Sequence, residues 1–445
     1  IMVATYEEIE DAIAKNDTKM MLYQLRKFGK APDGFDFDVF LTGLAHKNPV
    51  IRGLCVKHLG KFTDPNITIN LYSLFKKETS TTVRREIVSS IGRQRSKKNI
   101  TILIEFSHDN DPKVVMQTIR ALLYFKDVPK VKKRLEELQK HKNEVIQQVL
   151  QSAFATKTAT NTIKVENKEK FHNLVINGDI QKVLKNIPNG VVDLTFTSPP
   201  YYNAKDYSIY KSYEEYLGFL ESVIKEIHRV TAEGRFFILN TSPVILPRFS
   251  RAHASTRWAV PFDIHPRILK AGFDFIDDIV WKKPDGSAIN RNGGFFQHRK
   301  PLGYKPNPVV EYVMVYRKKT SKLIDWNMDQ IPKDVLEKSK VKDKKYDKTN
   351  LWEINPDTSN KHPASFPVKL VENVVRFYSY ENDLVLDPFA GSGTVGKVCA
   401  QNNRFSLLVD DKAEYIKLMK ARLKGSDFRF SGDFPIIQGK DRLKL

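Results

Sequence analysis

The sequence of 445 residues contains only two cysteines, Cys55 and Cys399. Two cysteines are too few for a disulfide framework or a cysteine-based zinc site, so we expect a protein of a reducing cytosol. The chain also lacks any stretch of about 18 uncharged apolar residues, which excludes a membrane-spanning helix. Its first residues combine neither a basic leader nor an uninterrupted apolar run, so we expect no signal peptide.

Acidic residues are scarce relative to basic ones. The chain has 52 Asp and Glu against 73 Lys and Arg, a formal net charge of +21. This excess is larger than solubility requires and favours a polyanion as partner. The hydrophobic fraction of 41% is sufficient for folded cores, and the length suggests two or three domains.

Residues 1–156 have a helical pattern that repeats. The apolar anchors Ile51, Val83, Val114 and Val145 follow one another at intervals of 31 or 32 residues, and turn-forming or helix-capping residues precede three of these helices. A constant period of this size indicates stacked helix pairs. The region therefore resembles a HEAT-repeat solenoid.

Basic residues recur near the starts of these repeats, at Arg52, Arg84, Arg85 and Lys113. A surface of this kind is suited to following DNA phosphates, whereas HEAT arrays also bind proteins. The pattern leaves a DNA clamp and a protein-partner scaffold as equal alternatives.

Residues 157–170 have no periodicity, and we interpret them as a linker. In residues 171–445, short β-branched and aromatic runs alternate with amphipathic helices, which predicts an α/β domain with a largely parallel sheet. The predicted strands are Leu174–Ile176, Val191–Thr197, Arg235–Asn240, Phe275–Trp281, Val309–Tyr316, Leu384–Leu386 and Phe405–Val409. The predicted helices are Tyr213–Val230, Phe262–Ala271, Pro367–Ser379 and Thr394–Gln401. The fourth and fifth strands are close in sequence, which favours an antiparallel hairpin at the edge of the sheet.

A glycine-containing loop follows the predicted strand Leu384–Leu386. Its sequence is Asp387-Pro388-Phe389-Ala390-Gly391-Ser392-Gly393-Thr394. The two glycines allow a tight turn and close approach of a ligand, which is typical of a nucleotide-like cofactor crevice at the carboxyl end of a strand. Asp387 disfavours a pyrophosphate and favours a cofactor that carries positive charge.

The predicted strand Phe405–Val409 runs into Asp410-Asp411. An acid at the end of this strand is placed to accept hydrogen bonds from both hydroxyls of a ribose, which makes Asp410 the ribose candidate. The alternative is that Asp410 or Asp411 only caps the helix that follows.

A second loop follows the predicted strand Val191–Thr197, with the sequence Ser198-Pro199-Pro200-Tyr201. Consecutive prolines fix the backbone and leave carbonyl groups free to accept hydrogen bonds, so an amine is the matching ligand. The Tyr201 ring offers a face on which a base can stack. Taken alone, this loop favours prolines that merely end a strand, with tyrosines that pack locally.

Together the two loops resemble the signatures of the DNA amino-methyltransferases. The catalytic motif precedes the cofactor motif, which is similar to the permuted β-class arrangement, and the resemblance extends over residues 171–423. It implies a Rossmann-like sheet, S-adenosylmethionine as cofactor and double-stranded DNA as substrate. Asp179 resembles an element near the cofactor adenine, and Phe366 an element that covers its methionine end. The cofactor-binding residues implied are Asp179, Phe366, Asp387, Pro388, Phe389, Ala390, Gly391, Gly393, Thr394 and Asp410; the catalytic residues are Ser198, Pro199, Pro200 and Tyr201.

The Ser form of the catalytic motif is associated in this family with N4-cytosine methylation, whereas Asp or Asn usually accompanies N6-adenine. The resemblance thus implies a site-specific cytosine-N4 methyltransferase of a restriction-modification system, acting in a prokaryotic cytosol or nucleoid. Two alternatives remain: N6-adenine methylation, and a HEAT scaffold with an inactive methyltransferase domain.

Two basic segments, at about 282–306 and 318–350, are predicted to contact DNA. The candidate residues are Lys282, Lys283, Arg291, His298, Arg299 and Lys300. The alternatives are a mobile flap for 286–296 and a solvated charged surface for 333–348. No further His, Cys or Asp cluster accompanies His298 or His362, so we expect no metal. No role is assigned to residues 425–445 beyond a possible extra strand at Phe434–Ile437.

Overall fold

The computed structural model describes residues 6–15, 17–29, 34–154, 168–202, 210–246, 256–285, 301–302, 308–343, 346–357 and 366–432. The chain divides into two compact units, Ile1–Thr158 and Ala159–Leu445. Most of the predicted linker, residues 157–167, lies outside the described residues, and its last part belongs to a 3-10 helix, Lys168–Phe171.

The described part of the first unit is built from helices. They are α1 (Tyr6–Ala14), α2 (Thr18–Lys27), α3 (Asp38–Gly43), α4 (Pro49–Leu59), α5 (Pro65–Lys77), α6 (Thr81–Arg93), a 3-10 helix (Lys97–Asn99), α7 (Ile100–Phe106), α8 (Pro112–Leu123), α9 (Pro129–Leu138) and α10 (Glu144–Phe154). Both α4 and α8 begin with a proline after a capping side chain: Asn48 accepts from the Val50 N–H at 2.9 Å, and Asp111 from the Lys113 N–H at 2.8 Å. Proline suits this position because an N–H in the first turn has no acceptor within the helix, so its absence costs no hydrogen bond.

The repeat prediction holds for α4, α6 and α8, whose anchors Ile51, Val83 and Val114 are fully buried. It is wrong by one residue for α10, where Val145 is 59% exposed and Ile146 is buried instead. An adjacent pair of β-branched residues leaves the phase of a helix ambiguous in sequence: both can be buried, as Val114 and Val115 of α8 are, or only one, as in α10.

The second unit is an α/β domain. Its elements are β1 (Leu174–Asn177), α11 (Ile180–Lys185), β2 (Val192–Thr197), α12 (Tyr213–Val230), β3 (Thr231–Thr241), β4 (Val244–Ile245), β5 (Arg257–Trp258), α13 (Val260–Lys270), β6 (Phe273–Lys282), β7 (Val310–Lys318), α14 (Ile324–Asp329), α15 (Lys333–Ser339), β8 (Leu351–Glu353), α16 (Val368–Tyr378), β9 (Leu384–Asp387), α17 (Thr394–Gln401), β10 (Phe405–Asp410), α18 (Ala413–Arg422) and β11 (Arg429–Gly432).

Nine of these strands form one sheet, in the order β11-β1-β10-β9-β2-β3-β7-β6-β8. Helices cover both faces: α11, α12 and α13 contribute to one apolar core, and α16, α17 and α18 to the other. Strand β9 is apolar on both of its faces: Leu384 and Leu386 face the first core, and Val385 faces the second. Such continuous apolar runs are typical of strands that are buried on both sides.

The predicted hairpin of β6 and β7 is antiparallel, but it is not at the edge of the sheet. Strand β7 also pairs with β3, and β6 also pairs with β8. The three residues of β8 were too short a run to be recognised in the sequence. The further strand proposed at residues 434–437 lies outside the described residues, whereas β11, which was not predicted, precedes it.

The order in which strands are added to the sheet switches direction between β9 and β2. These strands are parallel neighbours, yet β9 is followed by its other neighbour β10, whereas β2 is followed by β3 on the opposite side. Connections that leave in opposite directions open a crevice at the carboxyl ends of the two strands. Both predicted functional loops begin at these two ends.

Candidate active site

The loop after β9 has the backbone shape that its glycines permit. Gly391 and Gly393 have φ of 50° and 75°, in the left-handed region that glycine adopts without strain. A Cβ on Gly393 would come within 2.8 Å of the Met419 Cγ. The Gly391 N–H donates to the Asp410 carboxylate at 2.9 Å, so the loop is fastened to the end of β10.

Asp387, the last residue of β9, joins the two loops. It is 1% exposed, and one carboxylate oxygen accepts from the Thr197 hydroxyl at 2.7 Å and from the Phe389 N–H at 3.2 Å. Burial, with a smaller contribution from the nearby Asp410 charge, raises the pKa of Asp387 to about 7. Because Thr197 immediately precedes Ser198, this hydrogen bond brings the catalytic and cofactor candidates into one site.

Asp410 engages both of its carboxylate oxygens. One accepts from Gly391, and the other accepts from the Lys412 N–H at 3.0 Å. The residue that caps α18 is Lys412, and no side chain caps this helix, so the capping alternative is not observed for Asp410. Burial raises the pKa of Asp410 to about 6. Each oxygen retains a further lone pair for a ligand hydroxyl.

The end of β1 lies beside the end of β10. The Gly178 N–H and the Asn177 side-chain amide donate to the Asp410 carbonyl at 3.0 and 3.2 Å. This places Asp179 next to the crevice, where its exposed side chain also caps α11 by accepting from the Lys182 N–H at 3.0 Å.

The other cofactor candidates surround the same loop. The Phe366 ring stacks on Phe196 of β2, with centroids 4.7 Å apart, and the Phe389 ring contacts Phe219 of α12 at 6.1 Å. Pro388 and Ala390 are buried. At the start of α17, the Ser392 and Thr394 hydroxyls accept from the Arg422 guanidinium.

The catalytic candidates follow β2 directly. Pro199 is buried, whereas Ser198, Pro200 and Tyr201 are partly exposed. The Tyr201 hydroxyl donates to the Glu311 carboxylate at 3.1 Å, and the Ser198 and Ser242 side chains lie near it. Burial and the Glu311 charge hold the pKa of Tyr201 well above its ordinary value, so the phenol stays protonated.

Glu311, at the start of β7, is a site residue that the sequence analysis missed. Besides Tyr201, it accepts from the Asn240 side-chain amide at 2.6 Å and forms an ion pair with Lys283. Antiparallel pairing of β7 with β3 brings the start of β7 to the carboxyl end of β3. Asn240 ends a predicted strand and was recognisable from that position, whereas Glu311 lies near the amino end of its strand, where only the antiparallel pairing reveals it.

The DNA-contact candidates are described only in part. Lys282 pairs with Glu353 at 2.8 Å and Lys283 pairs with Glu311, while Lys283 also lies over the Trp281 ring at 4.6 Å. Arg291, His298, Arg299 and Lys300 lie outside the described residues, as does His362. The segment 318–350 includes the short helices α14 and α15. Among the described residues, no three His, Cys, Asp or Glu side chains are grouped to hold a metal ion, and no helix is long and apolar enough to cross a membrane.

A glycine loop and a Ser-Pro-Pro-Tyr loop at the reversal point of a largely parallel sheet define the fold and site of a Rossmann-like methyltransferase. A family model described as DNA methylase matches residues 192–421, just over half of the chain, and the protein belongs to this family. S-adenosylmethionine is the cofactor that DNA methylases use. A model of HEAT repeats matches residues 68–155 of the first unit.

Two relatives are named as Type II methyltransferases. The Type II methyltransferase M.ScaI of Streptomyces caespitosus is 31% identical over 265 residues, covering 56% of this chain and 81% of that protein. The Type II methyltransferase M.Cfr9I of Citrobacter freundii is 25% identical over 307 residues, covering 61% and 96%. Among solved structures, the PvuII DNA methyltransferase (cytosine-N4-specific) is 22% identical with a TM-score of 0.43, covering 58% and 88%. The predicted DNA methyltransferase class is therefore confirmed.

Proposed function

We propose that this DNA methyltransferase modifies the exocyclic N4 of a cytosine in a specific duplex sequence. The observation that carries the proposal is the Thr197–Asp387 hydrogen bond of 2.7 Å, which holds the Ser form of the catalytic loop against the glycine loop. The similarity to Type II methyltransferases supports a role in a prokaryotic restriction-modification system. Such a system acts in the cytosol or nucleoid.

The catalytic loop supplies acceptors for an amine. An exocyclic amino nitrogen is a poor nucleophile because its lone pair is delocalised into the ring. Hydrogen bonds from the amine to the Ser198 Oγ and the Pro199 carbonyl draw the nitrogen towards sp³ geometry and restore that lone pair. The residues therefore contribute alignment and electrostatics, without a covalent intermediate.

S-adenosylmethionine supplies a methyl group on a positively charged sulfur, which becomes neutral as the new N–C bond forms and the S–C bond breaks. The nitrogen then releases one proton. Asp387 would stabilise the bound cation, and Asp410 would accept hydrogen bonds from the ribose hydroxyls. Gly391 and Gly393 leave room for the ligand, while Phe366 and Phe389 close the site with apolar surface.

Tyr201 completes the pocket for the base. A cytosine must leave the duplex to reach Ser198, at a cost of a few kcal/mol. Stacking on an aromatic ring contributes about 1–3 kcal/mol and offsets much of that cost. The hydrogen bond from Tyr201 to Glu311 fixes the ring before the base arrives, so little side-chain entropy is lost on binding.

The test is the double variant Ser198→Ala/Tyr201→Ala of the full chain, with Tyr23→Ala, an exposed tyrosine of the first unit, as control. Transfer of labelled methyl from S-adenosylmethionine to duplex DNA should be nearly abolished in the double variant and unchanged in the control. Both variants should still bind the cofactor. Equal transfer by the double variant would overturn the catalytic assignment.

The modified base is identified by mass spectrometry of nucleosides from the product DNA. The proposal expects N4-methylcytosine. N6-methyladenine would overturn the choice of base while leaving the methyltransferase class intact, and failure of the protein to bind S-adenosylmethionine would favour an inactive scaffold.

A further inference from the structure

The two edges of the first unit differ in how their basic residues are paired. At the edge where α4, α6 and α8 begin, Arg52 forms a bidentate pair with Glu78, with both contacts at 2.7 Å, and Arg84 pairs with Asp109 at 3.2 Å. These bonds run from one repeat to the next. Arg52 and Arg84, which the sequence offered as phosphate contacts, therefore fasten the repeats together.

The opposite edge contains the turns that follow α4, α6 and α8, and it is strongly basic. We define the basic edge as six exposed residues: Lys57, Lys61, Arg93, Arg95, Lys97 and Lys98. Partial burial lowers the pKa of Lys61, and the charges of Lys57 and Arg93 lie close enough to lower it as well. The Arg95 guanidinium lies 4.7 Å above the ring of Tyr124, which carries the series into the next repeat.

Stabilisation of helix ends explains only part of this edge. A cation at a helix C-terminus contributes about 0.3–1 kcal/mol, which accounts for Lys57 and Arg93 in the last turns of α4 and α6. Lys97 and Lys98, by contrast, begin the helical segment that leads into α7, where the dipole disfavours a positive charge. Arg93 also has an acidic partner, because Glu86 pairs with it at 2.7 Å. Cations kept exposed and close together at a cost indicate an external anion.

We propose that the basic edge binds the phosphate backbone of duplex DNA away from the methylated base. DNA is the partner because the chain belongs to a DNA methylase family. Packed helices lie about 8–10 Å apart, and duplex DNA carries a charge about every 1.7 Å of its axis, so the two repeats that carry these residues span several phosphates. The contact adds affinity without adding sequence preference.

The test is the triple variant Lys57→Gln/Lys97→Gln/Lys98→Gln of the full chain. The matched control is Lys113→Gln/Lys132→Gln/Lys133→Gln, which removes the same charge from exposed positions elsewhere in the unit. Affinity for a long duplex is measured between about 50 and 200 mM salt, where each lost phosphate contact reduces the log–log slope by about 0.9. We expect the triple variant to reduce the slope by about 2 to 3, and the control to leave it nearly unchanged.

An equal loss in both variants, or a loss in neither, would overturn the proposal; the second result would favour a protein as the partner of this edge. The turnover number with saturating duplex should be unchanged in both variants. Binding and turnover are separate measurements, so failure of the proposed methylation chemistry is distinguishable from failure of the DNA contact.

Discussion

The two ends of the central strands in the second unit treat buried acids in opposite ways. At the amino end, Asp383 pairs with the Arg235 guanidinium, and Asp193 pairs with Lys168. At the carboxyl end, the donors to Asp387 and Asp410 are a threonine hydroxyl and backbone N–H groups. The acids at the amino end therefore have side-chain ion-pair partners, whereas we propose that a ligand completes the other pair.

The pKa values set Asp387 apart from the other acids. Burial raises the pKa of Asp387 to about 7, and it raises the pKa values of Asp410 and Asp383 to about 6. The Arg235 cation opposes the rise at Asp383, and Lys412 opposes it at Asp410. A buried carboxylate without a countercharge destabilises the free protein, and a cationic, hydroxyl-bearing cofactor relieves that cost on binding.

The largest effect is expected at the amino end. Replacing Arg235 with Met leaves Asp383 buried without its partner, and loss of one member of a buried pair costs about 3–5 kcal/mol. Urea denaturation should show this loss in Arg235→Met, and Arg235→Met/Asp383→Asn should recover much of it because the unpaired charge is gone. A double variant no more stable than the single one would mean that packing, and not charge, is what Arg235 contributes.

At the carboxyl end, removal of charge should have the opposite sign. Asp387 and Asp410 bind a proton more tightly in the folded than in the unfolded chain, so the stability of the cofactor-free protein falls as pH rises from about 4 to about 7. At pH above 7, Asp387→Asn and Asp410→Asn should each raise the free energy of unfolding by on the order of 2 kcal/mol.

The same two variants should weaken cofactor binding about tenfold or more, since a hydrogen bond to a charged group is worth about 1.5–3 kcal/mol. Calorimetry measures both effects, and Asp411→Asn, at an exposed neighbour, is the control. If the variants were destabilised and bound S-adenosylmethionine normally, these acids would be structural after all.

A smaller effect should appear in the pH dependence of the wild-type protein. Affinity for S-adenosylmethionine should increase as pH rises through about 6 to 7, because the two carboxyls then lose their protons. S-adenosylhomocysteine has a neutral sulfur, so its affinity should depend less on the charge of Asp387 and follow a shallower profile. Parallel profiles for the two ligands would place Asp387 away from the sulfur.

Local sequence was sufficient for the parts of the site that depend on one strand and its loop. Asp387, Gly391 and Gly393 share a loop whose backbone demands are local, and Ser198 follows a strand visible as an apolar run. The partners of those residues were not predictable in this way. Glu311 is distant in sequence from Tyr201, and Arg235 from Asp383, so only the order of strands brings them together. The exposure of Val145 is a third case, where two adjacent apolar residues competed for one core position.

Glu311 is the residue at the carboxyl end that does have a cationic partner, and it gives the smallest and most specific test. Glu311→Gln keeps the size of the side chain but removes the charge that Lys283 pairs with and weakens the acceptor for Tyr201. Both members of this pair retain some exposure, with 23% for Lys283 and 13% for Glu311, so the loss of stability should be only about 1 kcal/mol.

The turnover number should fall about tenfold, equivalent to about 1.4 kcal/mol, while KM for S-adenosylmethionine stays unchanged, because Glu311 acts through the ring that holds the base. If it acts only through that ring, Tyr201→Phe should reduce turnover by a similar amount, and the double variant should be no slower than the slower single one. Additive losses would instead give Glu311 a role independent of Tyr201. A raised KM for S-adenosylmethionine would place Glu311 on the same side of the site as Asp387.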